Sequence, residues 1–130
     1  MIQLFHSHRR AFSSIAAEAE LGPSQLQLLL NIKPEQALPM SELAEALYVD
    51  ASYITSLVDK LEARGLIERR ASPGDRRVKL IAMTPTGEAL RVQLMQRVFQ
   101  PPPAIAALDE ADRAALREIL NRALAATPPP

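Results

Sequence analysis

The sequence contains no cysteine and no tryptophan, and only 4% of its 130 residues are aromatic. Without cysteine the chain cannot form a disulfide bond, a thiol nucleophile or a cysteine-ligated zinc site. Its apolar stretches, such as the three leucines at 28–30, are far shorter than the roughly 20 residues of a transmembrane helix. The charges of the N-terminal segment follow its apolar patch, which is not the order of a secretory signal. We therefore expect a cytoplasmic protein that contacts no membrane.

Sequence motifs for catalysis are also missing. The chain has no glycine-rich phosphate loop, no nucleophile elbow and no HExxH sequence. Its two histidines, His6 and His8, lie two positions apart on a predicted helix and point about 200° apart, so they do not converge on a metal ion. The sequence therefore predicts no enzymatic activity, no catalytic residues, no cofactor and no metal site.

Neither sign of charge is in excess, because 15 Lys and Arg balance 15 Asp and Glu. The charges are unevenly placed, however. Residues 60–79 hold seven basic residues and three acidic ones, so this segment carries +4 and the remainder of the chain −4. Such a local excess is typical of a nucleic-acid contact surface, and an ordinary solvated surface is the alternative. The position of the segment in the fold has to decide between them.

Apolar periodicity predicts a series of helices before Gly65, and the last two of them are short and adjacent. A first helix through Phe5 and Ile15 should end at Gly22, and a second should run from Pro23 to about residue 32, before a loop at 33–39. Ser41 is the predicted N-cap of the next helix. Asp50 can cap the following one, whose apolar residues at 54, 57, 58 and 61 form one buried face. With Gly65 as its end signal, this pair of helices is a helix-turn-helix.

The segment that follows is predicted to be a β-hairpin. Residues 66–71 and 76–83 are the two strands, joined by the Ser-Pro-Gly-Asp turn at 72–75, with Val78, Leu80 and Ala82 inward and Ile81 outward. A hairpin directly after a helix-turn-helix is the arrangement of a winged helix. Thr84 then caps a helix, the prolines at 101–103 should form a stiff extended link, and a last helix should start near Asp109.

These elements predict a mainly α (α+β) fold, a winged helix-turn-helix with a two-stranded β-hairpin wing and N- and C-terminal dimerisation helices. We predict one domain over residues 1–130, with its core at about 23–84 and dimerisation helices at about 1–20 and 85–126. The apolar stripes of the terminal helices exceed what one small winged helix can cover, which favours a homodimer. Folding of these helices onto their own domain is the alternative.

Three segments of the chain carry a family resemblance: SELAEAL (41–47), SYITSLVDKLEARGLIERR (52–70) and SPGDRRVKLIAMTPTGEAL (72–90). In this order they resemble the MarR (multiple antibiotic resistance regulator) family of winged-helix transcription factors, over about Leu21 to Arg97. The resemblance implies a homodimeric regulator, here expected to be a repressor of an inverted-repeat operator in bacterial double-stranded DNA. It also implies a recognition helix in the major groove, a wing in the minor groove and release by a small aromatic effector.

The resemblance also assigns site residues. The family's wing aspartate and arginine fall on Asp75 and Arg77, and we expect the carboxylate to hold the guanidinium and aim it into a groove. Where the family often has an arginine, this chain has Ser56. The predicted DNA-binding residues are Ser41, Ala51, Ser52, Tyr53, Thr55, Ser56, Lys60, Arg64, Arg70, Asp75, Arg76, Arg77 and Lys79.

Two further hypotheses concern other partners. Phe5, His8, Phe12 and Leu26 are the candidate lining of an effector site, and ordinary core packing is the alternative reading of these four residues. A winged helix that contacts another protein without binding specific DNA is the alternative function. Such a module should lack the wing arginines that this chain has.

Overall fold

The computed structural model describes residues 2–127; Met1 and residues 128–130, which the predicted single domain includes, lie outside the described residues. The elements in chain order are α1 (Ile2–Glu18), α2 (Pro23–Asn31), β1 (Ala37–Pro39), α3 (Met40–Leu47), α4 (Ala51–Ala63), β2 (Ile67–Ala71), β3 (Lys79–Met83), α5 (Pro85–Val98), α6 (Pro103–Ala106) and α7 (Glu110–Ala126). The three strands form one antiparallel sheet in the order β1-β3-β2. The predicted class, mainly α with a small sheet in a winged helix-turn-helix, is confirmed.

The described residues form two compact units, one of residues 9–99 and one of residues 2–8 and 100–127. The unit of residues 9–99 holds the core, whose largest fully buried side chains are Leu26, Leu28, Leu29, Ile32, Leu43, Ile54, Val58, Leu61, Ile67 and Ile81. None of the buried residues among 2–127 is polar or charged. Helices α6 and α7 of the other unit bury no residue at all. Whether both units make one domain stays a prediction.

The helix-turn-helix is built as the local sequence signals predict. Asp50 precedes α4, and its Oδ1 accepts a hydrogen bond of 2.8 Å from the backbone N–H of Tyr53. Tyr48 ends α3 in a left-handed conformation (φ 54°), and Gly65 follows α4 with φ 69°. The predicted cap at Asp50 and the predicted end signal at Gly65 are both confirmed, because each depends only on its neighbours in the chain.

The start of α5 is fixed onto the turn that follows α4. The Thr84 hydroxyl donates a hydrogen bond of 2.6 Å to the Gly65 carbonyl and accepts one of 3.0 Å from the Gly87 N–H. A Cβ on Gly87 would lie 1.9 Å from the Leu66 carbonyl oxygen, so this approach of two backbones requires glycine. The predicted cap at Thr84 is confirmed, and the junction holds the end of β3 and the start of α5 against the turn that follows α4.

Two predicted helix boundaries are wrong. Ser41 is not an N-cap, because α3 already begins at Met40, after Pro39, and Ser41 lies within its first turn. Gly22 does not end α1. Glu20 takes the left-handed conformation there (φ 56°), and Gly22 has φ −74° and instead precedes α2, where its N–H donates to the Gln25 side chain at 2.7 Å.

The sheet has one strand more than predicted. Residues 37–39, expected in a loop, pair with β3 in the register Ala37↔Ala82 and Pro39↔Leu80. β3 is therefore the central strand, and it begins only at Lys79. The predicted alternation is wrong, because Ile81 is fully buried and Val78 is exposed. The two strands of the predicted wing, β2 and β3, therefore belong to a three-stranded sheet, in which β1 pairs with the outer edge of β3.

The proline segment also differs from its prediction. Pro103 begins the four-residue helix α6 instead of extending a stiff link, since proline is well tolerated in a first helical turn. The last helix starts next to Asp109 as predicted, and the Asp109 carboxylate caps it by accepting from the Asp112 N–H at 2.8 Å. Of the helices within residues 2–127, none combines the length and the apolar character that crossing a bilayer requires.

We predict that Gly87→Ala destabilises the protein by about 3 kcal/mol, at the upper end of the usual range for overpacking, because its Cβ would meet a backbone carbonyl that cannot move cheaply. Thermal unfolding followed by circular dichroism measures the change. Gly74→Ala is the matched control, since a Cβ there meets nothing within 4 Å. Equal melting temperatures of the two variants would contradict this account of the junction.

Candidate nucleic-acid interface

The rotation of α4 is set by its buried face. Its four apolar side chains, at positions 54, 57, 58 and 61, are at most 3% exposed. The opposite face is solvent-exposed, and in the N-terminal half of the helix it consists of Ala51, Ser52, Tyr53, Thr55 and Ser56. Small hydroxyl side chains on an exposed helix can reach base edges as donors or acceptors. The structure thus brings these five predicted residues together on one surface.

Hydrogen bonds inside the chain already engage some of these hydroxyl groups. Ser52 Oγ donates to Asp50 Oδ1 at 2.8 Å, and Thr55 Oγ1 donates to the Ala51 carbonyl at 2.8 Å. The Tyr53 hydroxyl donates to Ser24 Oγ on α2 at 3.1 Å. The oxygens of Ser52 and Thr55 keep their capacity to accept. Within residues 2–127 the Ser56 side chain makes no hydrogen bond, so both its donor and its acceptor are available to a ligand.

The capping carboxylate at the start of α4 stays ionised. The backbone N–H of Tyr53, and then the Ser52 hydroxyl, hold the pKa of Asp50 below its ordinary value. A carboxyl whose pKa is lower in the folded chain stabilises the fold at neutral pH. That contribution is lost when the pH falls through the folded pKa. The cap therefore holds the first turn of α4 at physiological pH.

The tip of the wing is a closed loop that presents two arginines. The Ser72 N–H donates to the Val78 carbonyl at 3.0 Å, and the Val78 N–H donates to the Asp75 carbonyl at 3.1 Å. Arg76 and Arg77 occupy the centre of this last turn and are exposed. Their guanidinium groups make no hydrogen bond or ion pair within the described chain. Both are therefore available to an anion.

Asp75 does not hold the Arg77 guanidinium, contrary to the prediction. Its Oδ1 accepts a hydrogen bond of 2.9 Å from the backbone N–H of Arg77. Asp75 and Arg77 lie in a turn and not on a strand, and an aspartate that starts a turn readily binds the backbone two residues on. The carboxylate thus fixes the turn and leaves the arginine side chain to extend outward.

Three basic side chains of the positively charged segment are engaged within the chain. Arg69 contacts Asp59 and Glu62, and its pKa is raised, chiefly by the hydrogen bond to Asp59. Arg70 Nε donates to Glu68 at 2.7 Å. Arg64 Nη1 donates to two backbone carbonyls at the end of α1.

The other four basic side chains are exposed and make no ion pair among residues 2–127: Lys60, Arg76, Arg77 and Lys79. They are the cations of the segment that remain available to a polyanion.

The turn between α3 and α4 exposes an aromatic residue that the sequence analysis did not include. Tyr48 is 75% exposed and comes just before α4 in the chain. The left-handed conformation that exposes it is common for glycine or asparagine, so no simple sequence signal pointed to a tyrosine. Ser41 is exposed on α3 as well.

The candidate effector residues lie in different surroundings. Phe5 and His8 belong to the unit of residues 2–8 and 100–127 and are exposed, whereas Phe12 and Leu26 belong to the unit of residues 9–99. Leu26 has no exposed surface and packs as core. None of the four lines the pocket of about 450 Å³ formed by Lys33, Pro34, Glu35, Gln36, Glu88 and Arg91. The effector site stays a prediction.

No group of three or more His, Cys, Asp or Glu residues within 2–127 is arranged to hold a metal ion.

Comparison with known sequences finds the same family over the helix-turn-helix. The model of the MarR family matches residues 21–79. The chain is 34% identical over 115 residues to a protein of Thauera aromatica named as a transcriptional regulatory protein for the hcr operon, covering 88% of this chain and 69% of that protein. It is 31% identical over 91 residues to the multiple antibiotic resistance protein MarR of Salmonella typhimurium, covering 70% and 63%. The aligned part thus spans about two thirds of each relative.

A solved structure agrees with these sequence matches. A variant of MarR from E. coli, complexed with operator DNA, superposes with a TM-score of 0.73 at 25% identity. The match covers 94% of this chain and 89% of that chain. It extends over both the helix-turn-helix and the sheet described above.

We predict that Asp75→Ala weakens binding to duplex DNA about five-fold, the worth of one ordinary hydrogen bond, although it removes a negative charge. The turn loses the bond that fixes Arg77, and fluorescence anisotropy of a labelled duplex measures the effect. Glu68→Ala is the control, because it also removes a carboxylate of the segment 60–79. Among the described residues that carboxylate binds only the Arg70 side chain. Tighter binding by both variants would show that charge alone decides.

Proposed function

This chain belongs to the MarR family, and we propose that it represses transcription as a homodimer bound to an inverted-repeat operator. Members of this family are DNA-binding transcriptional regulators and not enzymes. The repression, the dimer and the operator symmetry are our proposal for this chain. Access to chromosomal DNA requires a cytoplasmic location, which the proposal includes.

The observation that carries the proposal is that α4 exposes a hydroxyl face, while α4 and the wing also expose cations that have no partner among residues 2–127. Lys60 lies on α4 itself, and Arg76 and Arg77 form the tip of the wing. A helix with small polar side chains suits the major groove, and arginines on a narrow projection suit the minor groove. In a two-fold dimer the two recognition helices would meet half-sites about one helical turn, or ~10 base pairs, apart.

The exposed apolar residues of the terminal helices support the homodimer. Phe5 is 60% exposed, Leu124 is 73% exposed, and α7 buries no residue. An amphipathic helix of this length is marginal in water unless its apolar face is packed. A second copy of the chain supplies such a face by symmetry.

Repression and its relief complete the proposal. A dimer seated on an operator that overlaps a promoter excludes RNA polymerase. A small aromatic compound would release the dimer from DNA, as the family resemblance implies. The test is a gel shift of genomic fragments from beside the gene, repeated with a panel of aromatic acids and phenols. Binding to no fragment would leave the protein-contact alternative as the better reading.

We predict a steep salt dependence of DNA binding. Four available cations in each of two protomers give a slope of log K against log salt near −7, at about −0.9 for each phosphate neutralised. Arg77→Ala should reduce this slope by about 2, because the dimer loses two contacts. Arg113→Ala, on α7, is the control and should leave the slope unchanged. A flat salt dependence of the parent protein would exclude the cation set as its DNA contact.

We predict that the parent protein is a dimer at micromolar concentration in multi-angle light scattering. The double variant Ile119→Glu/Leu120→Glu should lose the dimer, because both side chains would be buried between protomers and are half-exposed in the single chain. Val78→Glu, which changes an exposed apolar residue of the wing, should remain dimeric. A folded monomeric parent would refute the dimer.

A further inference from the structure

A hydrogen-bonded turn closes the end of α1 and leaves two carbonyl groups without a backbone hydrogen bond within residues 2–127. The Leu21 N–H donates to the Ala16 carbonyl at 2.9 Å, and the Glu20 N–H donates to the Ala17 carbonyl at 2.9 Å. This is the Schellman pattern, with Glu20 in the left-handed position that glycine usually takes. The carbonyls of Ala19 and Glu20 receive no backbone hydrogen bond in this pattern.

Arg64, at the end of the recognition helix α4, binds both of these carbonyls. Its Nη1 donates to the Ala19 oxygen at 2.9 Å and to the Glu20 oxygen at 3.0 Å, across more than 40 residues of sequence. The guanidinium also lies at the negative end of the α1 dipole, where a cation is favoured. One arginine therefore ties the end of the helix that reads DNA to the end of α1.

A second arginine ties α1 to a different helix. Arg97, on α5, forms an ion pair with Glu18 in the last turn of α1. This bond does not involve α4. The two arginines thus bind the same end of α1, but only Arg64 connects it to the recognition helix.

We propose that Arg64 is a positioning residue that sets the half-site spacing preferred by the dimer. The inference rests on the proposed function, in which α1 carries part of the dimer face and α4 carries the reading face. The distance between the two recognition helices in such a dimer depends on how each α4 is held relative to its own α1. Both bonds come from the planar Nη1 group, whose two N–H directions are fixed, whereas the ammonium group of a lysine rotates freely and would hold the two carbonyls less closely.

A phosphate contact by Arg64 is the competing role, and the two roles have different consequences. A phosphate contact contributes equally at every spacing and adds to the salt slope. A positioning bond strengthens DNA binding at the preferred half-site spacing more than at the neighbouring spacings. It adds nothing to the salt slope. The two hydrogen bonds to α1 favour positioning, because a phosphate would have to replace them.

The test uses full-length protein and DNA duplexes with two copies of a half-site selected by the parent protein, separated by spacers that differ by one base pair. For each protein we compare the affinity at the best spacing with the affinity at the next-best spacing. For Arg64→Ala we expect this ratio to fall about five-fold, the worth of one net hydrogen bond. We expect its salt slope and its binding to a single half-site to match the parent. Arg97→Ala, the matched control, should keep the parent's spacing profile.

A uniform loss at all spacings, with a slope smaller by about 2, would assign Arg64 to phosphate and overturn the proposal. Arg64→Lys keeps the charge and serves if the alanine variant unfolds; retention of the parent's spacing profile and slope by a folded lysine variant would also overturn it. A parent protein that binds one half-site as well as two would instead contradict the dimer. That outcome is a failure of the proposed function and is visible before any Arg64 variant is made.

Discussion

The burial of one face of α4 is the constraint on which the rest of the interface depends. Four side chains of this helix are buried: Ile54, Leu57, Val58 and Leu61. A helix that buries these four positions can take only one rotation about its own axis. That rotation decides which hydroxyl groups face outward. Asp50 caps the start of the same helix, and the bond from Thr84 to Gly65 fixes the start of α5 against the turn after its end.

Local pairing of charges explains how a chain with no net charge can bind a polyanion. The seven basic residues of segment 60–79 divide into three whose side chains bind other groups of the chain and four that face solvent without a partner among the described residues. Arg69 joins α4 to β2 through Asp59 and Glu62, and so stabilises the scaffold. The wing arginines contribute nothing to the scaffold, and their turn is fixed by the Asp75 carboxylate. The number of basic residues alone would overestimate the contact with DNA.

Sequence reasoning succeeded where structure is decided by near neighbours. The caps at Asp50 and Thr84, the start of α7 near Asp109 and the glycine after α4 each depend on a few adjacent residues, and all four are confirmed. The fold class could therefore be predicted, since the order of these elements is that of a winged helix. The family prediction came from the resemblance of the three segments at 41–47, 52–70 and 72–90.

Features that depend on distant residues could not be predicted. Strand β1 has three residues and ends in proline, so only its pairing with β3 makes it a strand and makes β3 central. The Arg64 side chain binds carbonyls more than 40 residues away. Asp75 was expected to bind the Arg77 guanidinium but binds the Arg77 backbone N–H, because a backbone N–H two residues on competes with the side chain.

The central claim is that the outward face of α4 reads base sequence, and selection of bound duplexes from random DNA tests it most directly. Thr55→Ala/Ser56→Ala removes two exposed hydroxyl groups from that face, and Ser13→Ala/Ser14→Ala removes two from exposed positions on α1 as the control. The account predicts that the first double variant selects a motif changed at one or two positions of each half-site, while the control selects the parent's motif. Recovery of the parent's motif, with the same information at every position, by the Thr55/Ser56 variant would contradict it.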